Sequence, residues 1–261
     1  MQIEFYKYQG TGNDFVIIDN REEKLNRSHT AIIKQLCDRR FGIGADGLIL
    51  LQNVEGYDFE MVYFNSDGNE STMCGNGGRC IVAFAKFLGV IDTITSFLAI
   101  DGGHEGIVRK DGWVDLKMGD VKSVEQGEKG NYVLNTGSPH YIEFVSNVNS
   151  VDVYNRGKAI RYSPSYKKEG ININFVEERQ NGISVATYER GVEGETLSCG
   201  TGVTAAAIAH YCKNEKATKI PIQTKGGNLE VRFSPNGKGF KNVWLCGPAT
   251  QVFQGSVTVD V

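Results

Sequence analysis

A chain of 261 residues, 40% of them hydrophobic, can bury one large core or two modest ones. Its formal net charge of −3, with no block of like charges, leaves no footprint for nucleic acid or an anionic membrane, so the expected partner is a small molecule. Residues 1–7 lack a basic stretch leading into an apolar one, no run approaches the ~20 apolar residues of a membrane span, and six cysteines without a dense framework are expected to be free thiols, so a cytoplasmic location is expected.

In chain order, residues 15–18, 48–51 and 59–64 read as strands, with a helix expected over 30–40 between the first two. A second helix is expected over 76–88, where Gly89 supplies a stop. The charged, turn-prone stretch 121–130 reads as a linker. Beyond it, 183–188 and 228–233 read as strands, 201–213 as a helix, and 251–261 as a final strand that returns to the first domain. The expected division is 1–120 and 121–250, with 251–261 joining the former.

Two of these helices open on nearly the same words: Cys74-Gly75-Asn76-Gly77 and Cys199-Gly200-Thr201-Gly202, 125 residues apart from 74 to 199. At that spacing Tyr63 falls on Tyr188, Glu70 on Glu195, and Gly12-Asn13 on Gly137-Ser138. A chance recurrence in a chain with 32 glycines would not carry its register into neighbouring segments, so the chain reads as two copies of one unit, each the size of a small domain.

A thiol at a helix start is placed to ionise, because unpaired N–H groups and the positive end of the helix dipole favour the thiolate. If two such thiols face one substrate, ionising one makes ionising the other harder, which favours one base and one acid. That pair on opposite faces of a carbon inverts a stereocentre. The glycines let backbone amides approach a carboxylate, which would also help to delocalise a carbanion beside it. An α-amino or α-hydroxy acid is the expected substrate class.

Other chemistries fit less well. Gly42-x-Gly44-x-x-Gly47 matches a dinucleotide fingerprint as a string, but it follows a helix and leads into a strand, the reverse of the context required. No Cys-x-x-Cys pair exists for zinc, and no lysine stands out as a Schiff-base partner for pyridoxal phosphate. Cys37, Cys80, Cys212 and Cys246 read as packed small hydrophobes. A proline or hydroxyproline racemase with two thiols, or a non-enzymatic thiol redox or amino-acid-binding module, remain as alternatives.

The segments Gly12-Asn13-Asp14-Phe15, Arg40-Phe41-Gly42-Ile43-Gly44-Ala45-Asp46, Phe64-Asn65-Ser66-Asp67-Gly68, Cys74-Gly75-Asn76-Gly77-Gly78-Arg79-Cys80, and Tyr188-Glu189-Arg190-Gly191 before Cys199-Gly200-Thr201-Gly202 resemble the diaminopimelate epimerase family in order and across the whole chain. The resemblance implies an α+β fold of two pseudo-symmetric domains, each a sheet wrapped around a central helix. It implies a cofactor-independent isomerase that interconverts LL- and meso-diaminopimelate for lysine and peptidoglycan synthesis, with no metal, and a homodimer.

By the same resemblance Cys74 and Cys199 form the catalytic pair, and His140 and Glu189 tune them. Asn13, Gly75, Asn76, Gly200 and Thr201 would hold the reacting end of the substrate, while Asn65, Asn172, Glu189 and Arg190 would read the distal amino acid group. Two positions depart from the family's pattern: Ser138 stands where many relatives have asparagine, and Gly47 where some have glutamine.

Overall fold

The computed structural model describes residues 1–215 and 217–259. The chain divides into two compact units, one of Met1–Leu116 with Gly247–Val261 and one of Lys117–Cys246.

In unit 1, β1 (Gln2–Gly10) and β2 (Asn13–Asp19) form a hairpin around Gly12, whose φ of 87° suits a residue without a Cβ. Helix α1 (Thr30–Cys37) crosses over to β3 (Gly47–Gln52), which runs parallel to β2, and β4 (Phe59–Asn65) returns antiparallel to β3. Helix α2 (Gly75–Phe87) then leads to β5 (Ile94–Ala99), parallel to β4, and β6 (Gly102–Val108) and β7 (Val114–Lys117) follow antiparallel.

All six residues of β3 are buried, because the sheet is covered on both faces. On one side Ile32, Ile33 and Leu36 of α1 pack with Val16, Ile18, Leu48, Leu50 and Phe64. On the other lies α2, ten of whose thirteen residues are buried. Strands β1, β2, β3, β4 and β6 all touch α2, so the sheet curves around it.

Unit 2 repeats this plan. Its strands are β8 (Val124–Gln126), β9 (Tyr132–Asn135), β10 (Pro139–Phe144), β11 (Asn172–Arg179), β12 (Gly182–Glu189), β13 (Gly194–Thr196), β14 (Lys219–Thr224), β15 (Gly227–Asn236) and β16 (Gly239–Gly247). Strands β10 and β11 are parallel and joined through α3 (Val153–Arg161), β12 returns antiparallel, and α4 (Gly200–Asn214) leads to β14, parallel to β12. Helix α4 is the buried centre here, touching β9, β10, β11, β12, β14 and β15. The last strand, β17 (Thr250–Thr258), pairs antiparallel with β1 in unit 1. Asp260 and Val261, the end of the strand expected over 251–261, lie outside the described residues.

The 125-residue offset carries β5 onto β14 and the start of β6 onto that of β15, but it slips in one place. Ile49 pairs with Tyr63, whereas Asn174, its counterpart in β11, pairs with Thr187. The structural partner of Tyr63 is therefore Thr187 rather than Tyr188, and the missing residue is recovered before Cys199.

Two further expectations are corrected. Helix α1 stops at Cys37 instead of residue 40, since Asp38 turns extended and its carboxylate accepts the N–H groups of Arg40 and Phe41. The stretch expected as a linker over 121–130 holds β8, paired with β9, and a bridge from Val121 to Phe240. Helix α3 had no counterpart among the expected elements. Among the described residues no helix is long and apolar enough to cross a membrane.

Candidate functional site

Each of the two repeated cysteines is the residue that begins its unit's central helix. Cys74 precedes α2 with φ −97° and ψ 132°, and Cys199 precedes α4 with φ −113° and ψ 113°. Neither side chain caps its helix, and neither first turn holds an acidic residue, so both helix starts retain their preference for an anion.

In unit 1, Cys74 Sγ lies 3.6 Å from Asn13 Oδ1, which also accepts from Asn76 Nδ2 at 3.2 Å. The orientation of both amides follows from their partners. Arg79, wholly buried, donates to Asn76 Oδ1 at 3.0 Å, and Asn13 Nδ2 donates to Asp46 Oδ2 at 2.7 Å. The same guanidinium donates to Gly75 O and Thr11 Oγ1, tying the start of α2 to the turn after β1. Asp46 is held in turn by Arg39, which also grips Asp14 through two nitrogens, and Lys7 pairs with Asp14 at 2.7 Å. Burial raises the Asp14 pKa, but hydrogen bonds from Arg39 and Lys7 outweigh it and hold this carboxyl well below the usual range.

In unit 2, Cys199 Sγ lies 3.5 Å from Thr201 Oγ1. That hydroxyl lies 2.9 Å from His140 Nε2 and 3.3 Å from Ser138 Oγ, and Ser138 Oγ is 3.0 Å from the same ring nitrogen. His140 is completely buried, and burial, with a smaller contribution from the Arg190 charge, pushes its pKa down to about 3. It is a neutral imidazole at neutral pH. On its far side Asn174 Nδ2 donates to Nδ1 at 3.0 Å, and Thr187 donates to Asn174 Oδ1 at 2.8 Å.

The structure thus brings Asn13, Cys74, Gly75 and Asn76 together in unit 1, and Ser138, His140, Cys199, Gly200 and Thr201 together in unit 2. Asn172 joins the second group from β11. It donates to Ser138 Oγ and Pro139 O at 3.0 and 3.1 Å, and its Oδ1 accepts from the Arg190 backbone N–H. Arg190 is exposed just past β12 with Nη1 on Glu169 O, and Glu189 is half-buried as the last residue of that strand. Asn65 is exposed at the end of β4, opposite Gly47.

At Gly47, a Cβ would sit 2.6 Å from Cε2 of Tyr63 and 2.5 Å from Phe64 O, so the tyrosine ring occupies the space a side chain would need. Burial pushes the thiols of Cys37 and Cys80 up to about 12, which keeps them protonated. Among the described residues no cluster of three or more His, Cys, Asp or Glu side chains could hold a metal ion. Asp46, Arg79, Asn174 and Thr187 were not singled out from the sequence.

A model of the family described as diaminopimelate epimerase matches two segments, residues 5–124 and 132–252. The chain belongs to the diaminopimelate epimerase family. A diaminopimelate epimerase of Flavobacterium psychrophilum is 53% identical over 258 residues, covering 98% of this chain and 100% of its own. One of Aquifex aeolicus is 39% identical over 279 residues, covering 99% of each. Among solved structures, a PhzF-family phenazine biosynthesis protein of Bacillus anthracis superposes with a TM-score of 0.77 over 99% of this chain and 100% of that one, at 14% identity. At that identity the likeness speaks for the fold, the two-unit α+β architecture of the diaminopimelate epimerase family.

Proposed function

We propose that this chain interconverts LL- and meso-diaminopimelate, with Cys74 and Cys199 working as acid and base on opposite faces of one α-carbon. The supporting observation is the repeated geometry: each thiol stands at the start of the buried helix at the centre of its unit, on a Gly-x-Gly turn. Full-length similarity to enzymes named for this reaction supports the substrate. The activity is that of an isomerase in lysine synthesis. The proposal extends to peptidoglycan precursors, a cytoplasmic setting and a homodimer.

In the forward direction the Cys199 thiolate takes the α-hydrogen of the LL isomer as a proton. The C–H electron pair delocalises toward the α-carboxylate, which first-turn N–H groups of the helices would hold. The Cys74 thiol then delivers its proton to the opposite face, and the roles reverse for the meso isomer. Both steps use side chains alone. Asn13, Asn76 and Thr201 would hold the reacting end. Asn65, Asn172, Glu189 and Arg190 would bind the distal amino acid group, where a guanidinium can grip a carboxylate with two hydrogen bonds.

Deuterium uptake at the α-carbon of LL-diaminopimelate in D2O, by reduced protein and by Cys74→Ser and Cys199→Ser, tests this reading. Exchange and epimerisation by the unaltered chain, with turnover in both variants reduced at least about a hundredfold, is the expected result. No exchange by reduced, folded protein would sink the substrate assignment and turn attention to proline and hydroxyproline.

A further inference from the structure

Behind the unit 2 thiol runs a chain of buried polar side chains whose hydrogen-bond direction can be settled from one backbone carbonyl. A carbonyl only accepts, so the Asn174 atom 3.3 Å from Tyr141 O is Nδ2. The other end, Oδ1, accepts from the Thr187 hydroxyl. The same Nδ2 faces His140 Nδ1 at 3.0 Å, so Nδ1 carries no proton and the neutral ring carries its proton on Nε2. Nε2–H then donates to Thr201 Oγ1 or to Ser138 Oγ. Ser138 already accepts from Asn172 and lies within reach of Thr201. Both routes deliver a donor to Thr201 Oγ1, which leaves its own proton for Cys199 Sγ.

Unit 1 shows that the fold does not require this polarity. Pairing of β2 with β3 and of β10 with β11 makes Phe15 the counterpart of His140 and Ile49 that of Asn174, while Tyr63 is the counterpart of Thr187. There the same positions hold packed rings and an aliphatic chain, with Phe15 and Tyr63 in edge contact at 6.0 Å. A Cβ on Gly77 would meet Ile49 and Phe15 at 3.3 to 3.4 Å, whereas one on Gly202 would lie 2.4 Å from Asn174 Oδ1 and 3.3 Å from Thr187 Oγ1. Burying polar groups where apolar ones pack equally well has a free-energy cost unless every partner is present. Unit 2 bears that cost beside its thiol.

We propose that Asn174, oriented by Thr187 and Tyr141 O, is a positioning residue that holds His140 as the Nε2–H tautomer, so that the Thr201 hydroxyl donates to the Cys199 sulfur and favours its thiolate. This rests on the reading of Cys199 as an acid/base group. His140 acts in it as a fixed donor and exchanges no proton with substrate or sulfur.

The test is the ¹⁵N spectrum of the His140 side chain in the labelled, reduced full-length protein, together with the pH dependence of Cys199 alkylation by iodoacetamide, read by mass spectrometry. The expected spectrum has a protonated Nε2 and a bare Nδ1 from pH 5 to 9. An Nδ1–H tautomer or an imidazolium near pH 7 overturns the proposal. In Asn174→Ala and Thr187→Val the alkylation midpoint should rise by about one pH unit, the equivalent of one hydrogen bond to a charged group. In the same variants kcat should fall at least about tenfold while KM stays within about twofold, and Thr187→Ser should restore both readouts. An unchanged midpoint in folded variants also overturns it. If neither variant folds, the unaltered protein's spectrum still decides. The spectrum and the alkylation need no substrate, so a failure of the diaminopimelate assignment would be seen separately.

Discussion

Asp46 decides which end of the Asn13 amide faces Cys74. By accepting from Nδ2 it turns Oδ1 toward the sulfur, so the unit 1 thiol meets a hydrogen-bond acceptor, which favours the protonated form. In Asp46→Asn that constraint is weakened, because the new amide can donate to Asn13 as well as accept from it, and only Asn76 Nδ2 then holds Oδ1 toward the sulfur. The expected outcome is faster alkylation of Cys74 near neutral pH and a kcat lowered by about tenfold, roughly one hydrogen bond's equivalent in rate. Unchanged alkylation in the folded variant would count against this role for Asp46.

Arg79 is a charge buried entirely in the first turn of α2, with its nitrogens on Gly75 O, Asn76 Oδ1 and Thr11 Oγ1. Arg79→Met keeps much of the volume but leaves these acceptors without their donor. The variant should lose about 2–4 kcal/mol of stability in urea unfolding, more than an exposed arginine such as Arg40 would cost.

The two helix glycines offer a paired comparison. Alanine favours a helix over glycine by about 1 kcal/mol, and at Gly77 its methyl would meet the ends of Ile49 and Met61 and the edge of the Phe15 ring at 3.3 to 3.4 Å, a tight fit that offsets the helix gain, so Gly77→Ala should be close to neutral in thermal unfolding. At Gly202 the methyl would press on Asn174 Oδ1. Gly202→Ala should cost about 1–3 kcal/mol and should lower kcat as well.

Acid should weaken the fold through two groups of opposite charge type. Asp14 has a folded pKa below its unfolded value near 3.8, so its stabilisation is complete above that value and fades as pH falls through the folded one. His140 is held neutral down to about pH 3 in the folded chain but protonates near 6.5 when unfolded, so stability falls with pH between about 6.5 and 3. A plot of Tm against pH should be flatter over that window in His140→Asn than in the unaltered protein. In Asp14→Asn the loss at neutral pH should shrink toward low pH.

The sequence made both central helices legible because each joins a recurring Cys-Gly-x-Gly to an apolar run. Strands such as β3 were legible because a sheet covered on both faces needs a continuous apolar run. Helix α3 was not, since only Val153 and Gly157 of its nine residues are buried and most of its surface is polar. The polar chain of unit 2 is not legible for a different reason. In Asn172-Ile173-Asn174-Phe175 polar and apolar residues alternate, a pattern that ordinarily places the polar face in water. Here that face turns toward α4, and only the covering helix reveals it. The roles of Asp46 and Arg79 are hidden in the sequence because the contacts that tie them to the β1–β2 turn are distant along the chain, with Asn13 33 residues from Asp46 and Thr11 68 residues from Arg79.

The closing pair of β1 with β17 sets an order of events during synthesis. Unit 2 is continuous from Lys117 to Cys246 and has all its strands once that stretch has left the ribosome. Unit 1 emerges first, yet β1 waits for Thr250–Thr258, with Gln2 opposite Thr258, before its edge is covered. The half of the molecule made first is therefore the half completed last, and until then it presents an open strand edge to any neighbouring chain.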